Sequence, residues 1–151
     1  MGYIPDQNKA EIKRRLRKEL KEDVTVNFFT TIASSLLTIP GRECPTCPQN
    51  QELLEEVTGL SPKLHLKTYD FYADADTRNE YAVERIPATV LEAANSARLR
   101  YYGIPAGYEF ATLLEDLITL SRGVSPLQTL SRRDLRKINQ PVHLQVFVTP
   151  T

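Results

Sequence analysis

From Pro5 to Glu22, apolar Ile12, Leu16 and Leu20 recur every fourth position among lysines and arginines. This predicts a helix with one narrow apolar stripe, capped by Asp6 and lying on a surface. Val24-Thr25-Val26-Asn27-Phe28-Phe29-Thr30 is rich in β-branched and aromatic residues and predicts a buried strand. Ala33 to Glu43 then makes a loop longer than a strand-to-helix turn needs, with Leu36, Leu37 and Ile39 available to cover the rim of a neighbouring site. Helical spacing returns with Leu53, Leu54 and Val57 and stops near Gly59, before Pro62.

Lys63 to Phe71 alternates apolar and polar positions, a strand with Leu64 and Leu66 on one face and His65 on the other. Asp74 to Val83 is polar and predicts a short helix. Arg85 to Leu91 reads as a strand with Pro87 at its entry, and Arg98 to Tyr102 as a second strand, hairpin-paired with it across Ala93 to Ser96. Gly103 to Gly107 is a turn. Tyr108 to Ser121 is a helix carrying Phe110, Leu113, Leu114, Leu117, Ile118 and Leu120, stopped by Gly123. Strands on either side of one helix imply a parallel βαβ crossover, and the later hairpin makes the sheet mixed. The fold class is therefore α/β, a central mixed sheet flanked by helices. Ser125 to Lys137 forms a tail with Arg132, Arg133, Arg136 and Lys137, and Pro141 to Val148 reads as an extra C-terminal strand.

At 151 residues, 41% hydrophobic and 25% charged, the chain has room for one ordinary globular domain. Lys plus Arg and Asp plus Glu number 19 each, so no overall charge draws it to nucleic acid or an anionic membrane. The first helix alone is basic, with seven Lys and Arg against three Glu. An acidic or nucleic-acid partner is the sharper reading of that face, a solvated surface the plainer one. No stretch approaches the ~20 apolar residues of a membrane span, and no apolar run follows the charged N-terminus. The expected location is cytoplasmic.

Candidate chemistry gathers in Arg42-Glu43-Cys44-Pro45-Thr46-Cys47-Pro48, which holds both cysteines of the chain. Their spacing, after a strand and before a helix, is a redox signature, because a helical turn brings the two sulfurs within bridging reach. Cys44 is expected at the helix start, where unpaired N–H groups and the helix dipole favour a thiolate. Cysteines in C-x-x-C motifs have pKa values lowered from ~8.5 to ~3.5–7.5. Cys44 is then the nucleophile and Cys47 the resolving thiol. Pro45 and Pro48 suit a helix start, and Arg42 adds a cation beside Cys44. Two plainer readings remain open: half of a shared zinc site, for which the chain offers no nearby histidine, and an inert pair. His65 and His143 each stand alone on a strand and read as structural or solvated. Tyr101-Tyr102 and Phe28-Phe29 read as core and sheet surface rather than a ligand-stacking box.

Cys44-Pro45-Thr46-Cys47 together with Ile86-Pro87-Ala88-Thr89 resembles the thioredoxin-like fold, in which a cis-proline matched by Pro87 faces the cysteines. More narrowly, Arg85 to Thr89, Tyr101 to Phe110, Leu113-Leu114-Glu115-Asp116 and Ser121-Arg122-Gly123 resemble the N-terminal unit of the protein disulfide oxidoreductases, glutaredoxin-like proteins of thermophilic archaea and bacteria. The resemblance implies a thioredoxin-like unit over 1–123, a linker over 124–140, and in 141–151 the opening strand of a second unit whose cysteines do not follow. It also implies a cis Ile86-Pro87 bond. Two departures stand out: the long loop at Ala33 to Glu43, and Asn27 where thioredoxins keep a buried aspartate. Water or a carboxylate such as Glu43 is expected to handle the Cys47 proton instead.

The functional expectation is a thiol–disulfide oxidoreductase unit exchanging disulfides with protein thiols and disulfides. Cys44 and Cys47 are catalytic, Pro87 and Ile86 bind substrate, and Pro45, Thr46, Arg42 and Gly103 support. No metal and no cofactor beyond the Cys44–Cys47 disulfide is expected, and a thioredoxin-reductase-like flavoenzyme is a candidate electron source. The rival from another class is a redox-silent interaction module. An iron–sulfur site bridging two chains through Cys44 is a third reading, which needs four thiolates. The apolar face of the last strand is expected to add to a sheet edge, most plainly across a homodimer.

Overall fold

In the computed structural model, which describes residues 2–32 and 40–147, the sheet is built on β1 (Val24–Thr30). Six of its seven residues are buried, as its β-branched and aromatic composition requires. β2 (Leu64–Asp70) pairs with β1 in parallel, from Val24 opposite Leu64 to Thr30 opposite Asp70. β3 (Ala88–Ala93) pairs with the other side of β1 antiparallel, and β4 (Arg98–Tyr102) continues antiparallel beyond it. The order β2-β1-β3-β4 is the expected mixed sheet.

Strand alternation sorts β1 onto two faces. Val24, Val26 and Phe28, with Leu91 and Ala93 of β3, meet α1 (Asp6–Glu19), α2 (Cys47–Thr58) and α4 (Tyr108–Arg122) through Leu16, Leu53, Leu54, Val57, Leu113, Leu117 and Ile118. The opposite face is smaller. There Phe29 packs with Ala88, Val90, Tyr81 and Val83 behind the short α3 (Ala75–Glu80), stacked on Tyr69 at 5.2 Å. At its margin Glu92 accepts from the Tyr81 hydroxyl and from Arg98 Nε, each at 2.7 Å, and the Arg98 guanidinium lies 4.2 Å over the Tyr81 ring.

α1 begins after Pro5, without a side-chain cap. Asp6 is its first residue and pairs with Lys9 instead of capping. The basic face is partly spent inside the molecule: Arg15 bridges Glu19 and Glu115, and Arg122 of α4 reaches back to Glu19. Buried Ser121 staples the same corner, its hydroxyl accepting from the N–H groups of Lys21 (2.8 Å) and Glu22 (3.0 Å) and donating to the Glu22 carbonyl. α4 stops at Gly123, whose φ of 64° is the left-handed cap glycine supplies.

Three expectations are corrected. β3 starts at Ala88 rather than Arg85, because Pro87 has no N–H to give the ladder and its peptide bond with Ile86 is cis. The tail holds a helix, α5 (Thr129–Leu135), formed by a run free of Gly and Pro, with Leu130 and Leu135 left exposed. Residues 141–147 form no strand: Val142, Leu144, Val146 and Phe147 are 65 to 88% exposed. Alternation creates a face but not a partner edge, and neither sheet edge, β2 or β4, takes this segment. Val148 and most of the long loop, 33–39, lie outside the described residues.

Candidate active site

β1 and β2 run in parallel, so their carboxyl ends share one end of the sheet, and the chain leaving β1 there leads to the cysteines. Asp70, last residue of β2, organises that end. Its carboxylate accepts from the N–H groups of Ile32, Tyr72 and Ala73, each at 2.8 Å. Burial alone would push this carboxyl up. The three N–H groups and the nearby Arg42 charge outweigh it and hold Asp70 below its ordinary range. Arg42 itself lies over the Tyr72 ring at 4.4 Å and is exposed.

Cys44 and Cys47 form a disulfide, S–S 1.96 Å with Cα atoms 5.3 Å apart. The helix does not start where the sequence places it. Cys47 is the first residue of α2, Thr46 is its cap without a side-chain bond, and Cys44 stands in the turn ahead, its carbonyl accepting from the Cys47 N–H at 3.1 Å. Pro48 rather than Pro45 occupies the first helical turn, where a missing N–H costs nothing; Pro45 is exposed in the turn. The two sulfur-bearing residues differ in access: Cys44 is half-buried, whereas Cys47 is 2% exposed. Cys44 lies ahead of the helix's amino end, the side on which the dipole favours an anion.

Pro87 is buried and Ile86 half-buried, packed against both apolar clusters. A short relay joins them to α2. Asn50, in the first turn of α2 and fully buried, donates from Nδ2 to the Gly103 carbonyl at 3.0 Å, and the Gly103 N–H donates to the Pro87 carbonyl at 3.0 Å. Gly103 has φ of 90°, which only glycine adopts cheaply. Asn50 and Asp70 escaped the sequence reading, since their partners lie far along the chain.

Asn27 does not stand behind Cys47. It shares the face of Phe29, with Nδ2 3.4 Å from the Val90 carbonyl, while Cys47 packs on the face of Val26 and Phe28. Glu43 is exposed, and no carboxylate is buried among the described residues. His65 faces Asp23 at 3.3 Å and His143 is exposed in the tail. Among the described residues no group of three or more His, Cys, Asp or Glu could hold a metal ion, and no helix is long and apolar enough to cross a membrane.

No protein-family model and no curated protein sequence matches the chain. Solved structures do. The alkylhydroperoxide reductase AhpF of Enterococcus faecalis is similar with a TM-score of 0.72 at 19% identity, covering 88% of this chain and 60% of that one, and its NTD_N/C domain gives the same values. A protein disulfide oxidoreductase from Aeropyrum pernix is similar with a TM-score of 0.69 at 26% identity, covering 89% of this chain and 56% of that one. The chain thus spans three fifths or less of each of these three structures. It has a thioredoxin-like fold with a C-x-x-C disulfide at the amino end of a helix, and the two together support thiol–disulfide oxidoreductase chemistry in general.

Proposed function

We propose that this chain is a thiol–disulfide oxidoreductase unit of the glutaredoxin-like protein disulfide oxidoreductase kind, acting on protein disulfides through Cys44 and Cys47. The carrying observation is the unequal access of the two cysteines in one disulfide: Cys44 half-buried ahead of α2, Cys47 sealed at its first residue. An external dithiol reduces the pair. The Cys44 thiolate then attacks one sulfur of a substrate disulfide, whose second sulfur leaves as a thiolate and takes a proton from water. Cys47, losing its proton to water because no carboxylate is buried among the described residues, attacks Cys44 Sγ in the mixed disulfide. The Cys44–Cys47 bond re-forms, the second substrate thiol departs, and two electrons have passed to the substrate.

In this reading the Pro87 main chain, with Ile86, receives the substrate backbone, Gly103, Pro45, Thr46 and Arg42 shape the site, and the redox pair is the sole cofactor. A thioredoxin-reductase-like flavoenzyme is the proposed electron source. Residues 1–123 form the unit, 124–140 a linker, and 141–151 the beginning of a second unit. The exposed apolar 141–147 segment favours one alternative, a redox-silent docking module. Insulin reduction with dithiothreitol separates the two. Activity in the wild type, its loss in Cys44→Ser, and a trapped mixed disulfide in Cys47→Ser are expected. A wild type no faster than dithiothreitol alone, or trapping through Cys47 in Cys44→Ser, refutes the assignment.

A further inference from the structure

Asn50 is 0% exposed and sits three residues after Cys47, on the same face of α2. Its Nδ2 bond to the Gly103 carbonyl spans 53 residues of sequence, and the Gly103 N–H carries the link on to the Pro87 carbonyl. Two hydrogen bonds of 3.0 Å therefore tie three separate segments: the first turn of the redox helix, the turn after β4, and the residue that follows the cis bond. The other half of the amide is unsatisfied. Asn50 Oδ1 is buried with no hydrogen-bond partner among the described residues, a cost that an apolar side chain of the same size would avoid. Packing alone gives no reason for an amide here, whereas holding the Gly103 carbonyl does.

We propose that Asn50 is a positioning residue for exchange with protein disulfides: through Gly103 it fixes the Pro87 main chain against the amino end of α2, so that a substrate backbone meets the turn while its disulfide meets Cys44. This rests on the proposed function above and specifies how the unit favours a polypeptide over a small disulfide. A small disulfide needs only the sulfur of Cys44 and gains little from an ordered proline turn. A polypeptide uses both, so loosening the clasp raises its KM more than it lowers its kcat.

The test compares kcat/KM for insulin and for hydroxyethyl disulfide, with dithiothreitol as reductant, in the wild type, Asn50→Leu and Asn50→Asp. In Asn50→Leu the ratio of insulin to hydroxyethyl disulfide activity is expected to fall on the order of tenfold, chiefly through KM. Asn50→Asp, which sets an oxygen against the Gly103 carbonyl, is expected to lose at least as much. If Asn50→Leu does not fold, Gly103→Ala reads the same ratio from the other end. A Cβ there meets nothing within 4 Å, and only the φ of 90° is disturbed. An unchanged ratio, whether both activities hold or fall together, overturns the positioning role while leaving the redox assignment standing. A wild type inactive on both substrates overturns the redox assignment itself.

Discussion

Replacing Asp70 with asparagine isolates what its charge does for the cysteine end of the sheet. One carboxylate oxygen accepts from Tyr72 and Ala73, and the other from Ile32. Asparagine keeps one acceptor. The favourable flip preserves the Tyr72 and Ala73 bonds and turns its NH2 toward the Ile32 N–H, so one bond to a charged group is lost. Such a bond contributes ~1.5–3 kcal/mol. Ile32 is 61% exposed and water can take over part of the task, which leaves about 1–2 kcal/mol. For a chain of this size each kcal/mol moves Tm by ~2–4 °C, so a drop of about 2–8 °C at pH 7 is expected. The pH dependence provides a second reading. A carboxyl held low in the folded protein contributes stability above its unfolded pKa, and loses it as pH falls through the folded one. Asparagine does not titrate, so the difference between variant and wild type should shrink in acid. Thermal unfolding followed by circular dichroism at pH 7 and below pH 3 measures both. No difference at pH 7, or one that persists undiminished in acid, refutes the argument.

Ser121→Ala removes the acceptor of the Lys21 N–H and the donor to the Glu22 carbonyl in a place 1% exposed, while the Glu22 N–H keeps the Ser121 carbonyl, and should lower stability by about 1–2 kcal/mol in urea unfolding with an unchanged slope. Tyr81 is pushed up from 10.0 to about 12 by burial first and by its bond to Glu92 second, so its contribution is whole below pH 10.0 and lost as pH rises toward 12. Tyr81→Phe should flatten the fall in urea midpoint across that range. A chain ending at Lys137 loses the exposed 141–147 segment and the stabilisation that its pairing across a dimer adds, so its Tm should fall below the full chain's. Light scattering should show a dimer for the full chain and a monomer for the shorter one, and two monomers would mean that the 141–147 segment pairs with nothing.

The strands β1 and β4 and the helix α4 could be read closely from the sequence, because each presents a dense local pattern to a core that accepts it. The same logic failed where the pattern has two solutions or needs a partner. Pro45 and Pro48 both suit a helix start, and it is Pro48 that takes the position, with Cys47 buried in the main core as the first helical residue. Residues 141–147 alternate as a strand does but pair with no strand among the described residues. In the site, the cysteines and the cis-proline were visible as motifs. Asn50 and Asp70 were not, because their meaning lies in bonds spanning 53 and 38 residues. Asn27 could be read as standing where thioredoxins keep a buried aspartate, but its assignment to the face away from Cys47 depends on register.

The disulfide joins residues only three apart in sequence, so it encloses almost none of the chain. Cross-links stabilise mainly by restricting the unfolded ensemble, and one this short restricts little of it. Around a thermodynamic cycle, the stability gap between oxidised and reduced protein equals the shift in the couple's potential on folding, ~30 mV for each ~1.4 kcal/mol. What the folded protein does to that potential must therefore come from the immediate surroundings of the two sulfurs, and unfolding curves of the two redox forms read it directly. The chain contains no tryptophan to report the change by fluorescence, so the two curves need a backbone signal or an introduced probe.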